Sequence, residues 1–253
     1  FLTAVRLGRA VGVSESTVVR FAMELGYDGY PSMQRDLQEL VLKRLNSVQR
    51  IEVACDRLKD QDVVDTVLES DMDKIRKTME GLDRGDFRAA VSAVLRARRI
   101  YILGVRSSAS LAEFLKYYLH YMFDDVHLIT ASGAGEMCEQ LVGVSSEDTV
   151  LALSFPRYAA ATGKGVCFCR DRGAVVVGMT DSRESPVGVC SDFVLCAKSD
   201  MVSLVDSLVA PLSLINAFIV AVAARRNREL TKTFGRLERI WEQYDVYEKA
   251  DGE

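Results

Sequence analysis

Histidine is nearly absent, two residues in a chain of 253, and none of the six cysteines forms a CxxC pair. Zinc sites draw on clustered Cys and His, so no metal is expected, and no cofactor motif is present either. A long uninterrupted hydrophobic run is also missing. The most apolar stretch, residues 207–224, barely reaches bilayer length and carries Pro211, Ser213 and Asn216 within it, which predicts a buried helix and no membrane span. No basic segment followed by an apolar core opens the chain, as an export signal would. The absence of such a leader predicts a cytoplasmic protein whose cysteines, Cys55, Cys138, Cys167, Cys169, Cys190 and Cys196, are reduced and mostly buried thiols. The sequence opens at Phe1 without a methionine, and further residues are expected before it. An excess of positive charge is lacking as well. With a net charge of −4, attraction of the whole surface to nucleic acid is excluded, whereas a local basic face is not. Fixed-period repeats and low-complexity tracts are absent, which excludes solenoid and fibrous architectures.

What is present is globular in composition, 49% hydrophobic and 27% charged residues, over a length that suits two modest domains. Residues 1–30 read as two short helices around a turn. Thr3 caps the first, Gly12 ends it, Ser14 caps the second and Gly26 stops it. Val18, Ala22 and Leu25 fall at i, i+4 and i+7 and predict one packed face, which leaves Glu15, Ser16, Thr17 and Arg20 outside. This is the spacing of a helix-turn-helix. Residues 35–80 are polar with a helical period, and Ser70 with Asp73 predicts a capping box that starts a fresh helix. Gly81 and Gly85 bracket a turn, and Asp86 precedes an amphipathic helix to about Ala97.

From Arg99 onward, short apolar runs at 100–103, 126–129, 149–153, 174–177 and 192–195 alternate with helical stretches. Five strands separated by helices predict a parallel sheet, and branched runs such as Val175, Val176 and Val177 demand cover on both faces. The expected fold class is α/β, a five-stranded parallel doubly wound sheet, with a small all-α domain in front. Two last helices, about 202–225 and 229–247, would close the domain or serve oligomerisation.

Open parallel sheets bind ligands beyond the carboxyl ends of their strands, where helix N-termini present free N–H groups. The first strand runs into Gly104, Val105, Arg106, Ser107 and Ser108; the third into Ser154, Phe155, Pro156, Arg157 and Tyr158, followed by Thr162; the fourth into Thr180, Asp181 and Ser182, with Ser185 and Pro186 beyond. One such turn would be ordinary helix capping. Three hydroxyl-rich strand ends in one sheet, one of them carrying Arg157, point to an anion site. Asp181 would accept from a sugar alcohol rather than touch phosphate.

These residues resemble the RpiR-type bacterial transcriptional regulators, which join an N-terminal helix-turn-helix to a C-terminal sugar isomerase (SIS) domain. The segment from Val13 and Ser14 through Thr17, Val18, Val19, Arg20 and Phe21 to Leu25, Gly26 and Tyr27 is similar to the family's recognition helix, and the three strand-end loops are similar to its SIS loops. The resemblance implies a DNA-binding helix-turn-helix over 1–45, its first helix missing, a helical connector over 46–84 and a phosphosugar-binding SIS domain over 85–253. It implies Ser108, with Ser107 beside it, as the first phosphate-binding group and Ser154 with Thr162 as the second. Where SIS domains commonly carry Ser-x-Ser-Gly-x-Thr, Pro156 and Arg157 replace the second Ser and the Gly, and the Arg157 guanidinium would substitute for the lost backbone contacts.

An SIS enzyme would need a positioned carboxylate base to move a proton between sugar carbons. Glu113, Glu136 and Glu139 are the available residues, each on a predicted helix where a glutamate is ordinarily solvated. His120 sits in an aromatic run, His127 on a strand, and Cys167 and Cys169 on different sides of a helix. The expectation is therefore no enzyme but a switch. Ser14, Glu15, Ser16, Thr17 and Arg20 would meet DNA, Arg6 and Arg9 its backbone, and a homodimer or homotetramer would pair the half-site readers. A phosphorylated sugar would alter affinity for promoter DNA. The alternatives are a sugar phosphate isomerase or lyase, and a sensor that acts only through protein contacts.

Overall fold

A computed structural model describes residues 2–44, 48–49, 51–52, 62–131, 133–199 and 206–248. The chain divides into two compact units, residues 1–67 with 200–206, and residues 68–199 with 207–253.

In the first unit α1 (Ala4–Val11), α2 (Glu15–Glu24) and α3 (Tyr30–Arg44) follow one another. Thr3 caps α1 through the Arg6 N–H, and Ser14 caps α2 through the Thr17 N–H, as their β-region backbone and short hydroxyls favour. Gly12 ends α1 at φ 73°, a left-handed conformation open to glycine. Gly8 lets α1 approach the turn closely, since a Cβ there would lie 2.7 Å from the Val13 carbonyl oxygen. Val18, Ala22, Tyr30 and Met33 are buried together. Leu25 does not join them: it is 57% exposed, because the helix ends at Glu24 and Leu25, at φ −82° and ψ 3°, leaves the stripe. Tyr30 takes its place and donates from its hydroxyl to the Leu2 carbonyl at 2.7 Å.

The next helix, α4 (Val63–Gly81), runs through Ser70 and Asp73 without a break, contrary to the expected fresh start. Both side chains are occupied within the helix: Lys74 donates to Ser70 at 2.9 Å, and Asp73 pairs with Arg76 and Lys77. Cys55 lies outside the described residues. The next helix, α5 (Arg84–Arg96), starts earlier than Asp86 because Asp83 caps it, accepting from the Gly85 and Asp86 N–H groups, which hold the Asp83 carboxyl below the usual carboxylate range.

Five parallel strands follow: β1 (Ile100–Leu103), β2 (Val126–Ile129), β3 (Thr149–Leu153), β4 (Val175–Thr180) and β5 (Phe193–Cys196), in the order β2-β1-β3-β4-β5. The fourth runs three residues past the expected end and the fifth is shifted by one. Alternation along each strand serves both faces. Ile100, Ile102, Leu151, Leu153, Val177 and Met179 pack with Val91, Val94, Leu115 and Phe218, residues of α5, of α6 (Ala109–Leu119) and of α9 (Val209–Arg225). Tyr101, Leu103, Val150, Ala152 and Val176 pack with Met137, Leu141 and Val166, on or beside α7 (Ala134–Gln140) and α8 (Ala160–Asp171). The sheet is thus doubly wound. Residues 202–205 of the expected penultimate helix lie outside the described residues. Its buried side chains include Leu214, Phe218 and Val222, and no single described helix is long and apolar enough to cross a membrane. A bend of 97° leads into α10 (Asn227–Gln243).

The expectation of reduced cysteines fails at one pair. Cys167 and Cys190 form a disulfide, 23 residues apart in sequence, which only the tertiary approach of α8 to the loop after β4 brings together.

Candidate functional site

The chain passes from β1 outward to β2 and returns to the other side of β1 for β3. That reversal separates the loops leaving β1 and β3 and opens a crevice between them. Because β1 pairs with β3 (Leu103 with Ala152) and β3 with β4 (Leu153 with Met179), the three hydroxyl-rich strand ends lie over neighbouring strands. Ser107 and Ser108, then Ser154, Arg157, Tyr158 and Thr162, then Asp181, therefore follow the carboxyl ends of three adjacent interior strands.

The loop after β1 is tightly built. A Cβ on Gly104 would stand 2.8 Å from both the Ala112 Cβ and the Ser108 carbonyl oxygen, so the loop rests directly on α6. Arg106 adopts φ 58°, unusual for a residue with a side chain, and is exposed along with Ser107. Ser108 is 4% exposed and stands at the N-cap of α6, yet its side chain makes no capping hydrogen bond. The loop after β3 behaves alike. Ser154 is buried and its N–H is held by the Met179 carbonyl at 3.1 Å. Ala159 is the N-cap of α8 with no side-chain cap, and Thr162 in the first turn is 1% exposed, its Oγ1 without a hydrogen-bond partner. An unpaired buried hydroxyl costs about 1–3 kcal/mol, and native proteins rarely keep one without a use. Simple helix capping therefore does not account for Ser108 and Thr162.

The third loop is fastened to the second. The Tyr158 hydroxyl donates to Asp181 Oδ1 at 2.6 Å; burial and this bond push the phenol well above its ordinary range, so it remains a donor. Thr180 donates to Ser185 Oγ at 2.9 Å, and Ser185 Oγ accepts from the Gly188 N–H at 3.0 Å. Thr180 and Ser185 thus shape the loop that presents Asp181. The sequence supplied Ser185 as a further hydroxyl but not this bracing role, which depends on contacts five and three residues away.

Glu113, Glu136 and Glu139 are exposed on α6 and α7. His127 stacks on Tyr101 at 5.1 Å and pairs with Asp125, while His120 packs against Tyr117 and Tyr121. Among the described residues no cluster of His, Cys, Asp and Glu is arranged to hold a metal. In the first unit Glu15, Ser16 and Arg20 are exposed and Thr17 half-buried. Ser14 Oγ is engaged with Thr17 N–H at 3.2 Å and with the Ser16 and Thr17 hydroxyls.

Residues 94–221 match the SIS domain family. Over 192 residues the chain is 29% identical to an HTH-type transcriptional regulator of Haemophilus influenzae, a stretch spanning 75% of this chain and 66% of that protein. The fold is similar to the sugar isomerase domain of the RpiR transcription factor from Sphaerobacter thermophilus, with TM-score 0.67 at 24% identity over 71% of this chain and 99% of that one. It is similar also to the Vibrio vulnificus NanR protein complexed with ManNAc-6P, with TM-score 0.63 at 20% identity over 96% and 87%. With a helix-turn-helix ahead of a doubly wound sheet of this strand order, the chain belongs to the SIS domain family, in its RpiR-type arrangement.

Proposed function

We propose that this chain is a DNA-binding transcriptional regulator whose SIS domain senses a phosphorylated sugar and thereby changes affinity for promoter DNA. One observation carries the sensing half: the buried Thr162 hydroxyl at the start of α8 has no hydrogen-bond partner, and Ser108 at the start of α6 makes no capping bond. The first N–H groups of α8 and its positive dipole end suit a phosphate, for which Ser107, Ser108, Ser154 and Thr162 supply hydroxyls and Arg157 the opposing charge. Asp181, positioned by Tyr158, accepts from a sugar alcohol. The likeness to NanR, which was solved with ManNAc-6P, supports this ligand class.

Nothing in the reading requires turnover, since the carboxylates available as bases are exposed on helix surfaces. For DNA, the first turn of α2 offers Ser14, Glu15, Ser16, Thr17 and Arg20, with Arg6 and Arg9 on α1 for the backbone. Ser14 contributes chiefly by fixing the helix start. A regulator of promoter DNA acts in the cytoplasm, and a homodimer is supported by α10. Leu230, Phe234, Leu237, Trp241 and Tyr244 recur at four- and three-residue intervals, the seam of a helix pair, yet α10 contains no buried residue.

A thermal-shift screen against phosphorylated sugars tests the sensing half, because ligands of the native state raise its melting temperature. Anisotropy of labelled promoter DNA, with and without the hit, tests the switch. The expected outcome is a salt-steep affinity that the sugar changes; steady conversion of a ketose phosphate to an aldose phosphate would overturn the non-enzymatic part.

A further inference from the structure

The disulfide joins the two loops that the proposed site depends on. Cys167 lies on α8, whose first turn holds Thr162; Cys190 closes the loop that begins at Asp181. The other links between these pieces are non-covalent. They include the Tyr158–Asp181 hydrogen bond, the bond from Arg170 to the Val189 carbonyl at 3.1 Å, the packing of Val187 with Val166, and the close approach of Gly163 to Pro186, where a Cβ would stand 3.3 Å from the proline ring. Both cysteines are half-buried. Cys167 also lines an open groove of about 740 Å³ with Tyr158, Gly163, Lys164, Phe168 and Pro186, so small reagents reach this half of the bond. Neighbouring Cys169 differs: burial pushes its thiol up to about 12, and it stays protonated and inert.

A promoter-binding protein works where thiols are kept reduced, and a disulfide there is ordinarily transient and redox-sensing. We propose that Cys167 and Cys190 form a reversible redox modification site, oxidised by hydroperoxides and reduced by dithiols, that sets how firmly the Asp181 loop is held against α8. In the oxidation, one thiolate sulfur attacks a peroxide oxygen, the O–O bond breaks, and a sulfenic acid forms with release of water or an alcohol. The second sulfur then attacks the first; the S–S bond forms, the S–O bond breaks, and the departing hydroxide takes the remaining thiol proton as water. The two cysteines give up two electrons, which the peroxide gains. Reduction by a dithiol returns both electrons and both protons and leaves the reductant as a disulfide. The reversibility of the bond and its consequence for the effector rest on the proposed function; the pairing of Cys167 with Cys190 does not.

The full chain is treated with hydrogen peroxide or with dithiothreitol, then denatured and alkylated with N-ethylmaleimide. Two fewer adducts after peroxide, missing from Cys167 and Cys190 in the peptide map, are expected. Hydrogen exchange of amides 182–191 should be about threefold faster in the reduced protein, with β1 and β3 unchanged. Cys167→Ser should hold the fast value whatever the reagent, and Cys138→Ser should behave as wild type. Titration with ManNAc-6P, the probe suggested by NanR, should show about threefold weaker binding after reduction. Full alkylation of both cysteines after peroxide, or equal exchange in the two states, would overturn the proposal, and equal affinity would overturn its coupling to the effector. The adduct and exchange readouts need no ligand, so a failure of every phosphosugar to bind would count against the proposed function alone.

Discussion

Thr162 shows most plainly what a single residue contributes. Its hydroxyl is buried and unpaired, so Thr162→Val replaces a polar group that does nothing for the fold with a methyl of the same shape. Melting temperature should stay level or rise, while phosphosugar affinity should drop at least about tenfold, because hydrogen bonds to charged groups contribute about 1.5–3 kcal/mol. Calorimetric titration beside a melting curve checks both; a loss of stability with intact binding would assign Thr162 to the core. Asp148 gives the opposite case, a buried group fully committed to the fold. Burial pushes its carboxyl up, but the Arg98 guanidinium and the Ser145 N–H and hydroxyl pull it down further, and it is held below the ordinary carboxylate range. Its contribution is therefore complete above about pH 4, the unfolded value, and drains as pH falls through the lower folded one. The melting temperatures of wild type and Asp148→Asn should differ most at neutral pH and converge in acid. Thr3 and Ser14 were legible as caps because capping is local; the fate of the Thr162 hydroxyl was not, because partners distant in sequence decide it.

At the scale of elements, the strands were readable from branched apolar runs, since a strand covered on both faces has no polar positions to blur it. Helix starts were less so: Ser70 and Asp73 carry capping chemistry but spend it on Lys74, Arg76 and Lys77 inside a continuous α4. The β1 loop joins element to site. Gly104 sits where a Cβ would press on Ala112 and on the Ser108 carbonyl, so Gly104→Ala must lift the loop from α6. We expect a destabilisation of about 1–3 kcal/mol together with weaker phosphosugar binding, both visible in melts with and without ligand; unchanged melts would show that the loop yields freely.

For the whole molecule, the apolar seam of α10 is partly engaged within the chain, Leu230 against the core and Phe234 against Tyr121 at 5.2 Å, while its far end stays open, with Tyr244 69% exposed. Leu237→Glu should convert a dimer to a monomer in sedimentation velocity and weaken promoter binding, whereas a persisting dimer would place the interface elsewhere. Periodicity and composition were enough to determine the α/β class and the helix-turn-helix ahead of it, and to single out the strand-end loops of the candidate site, because each is written in residues close in sequence. Only the tertiary structure decided that β1 and β3 are neighbours, that Thr162 lacks a partner and that Cys167 meets Cys190. Each of these turns on which distant segments the sheet order brings together, and neither local propensity nor spacing encodes that order.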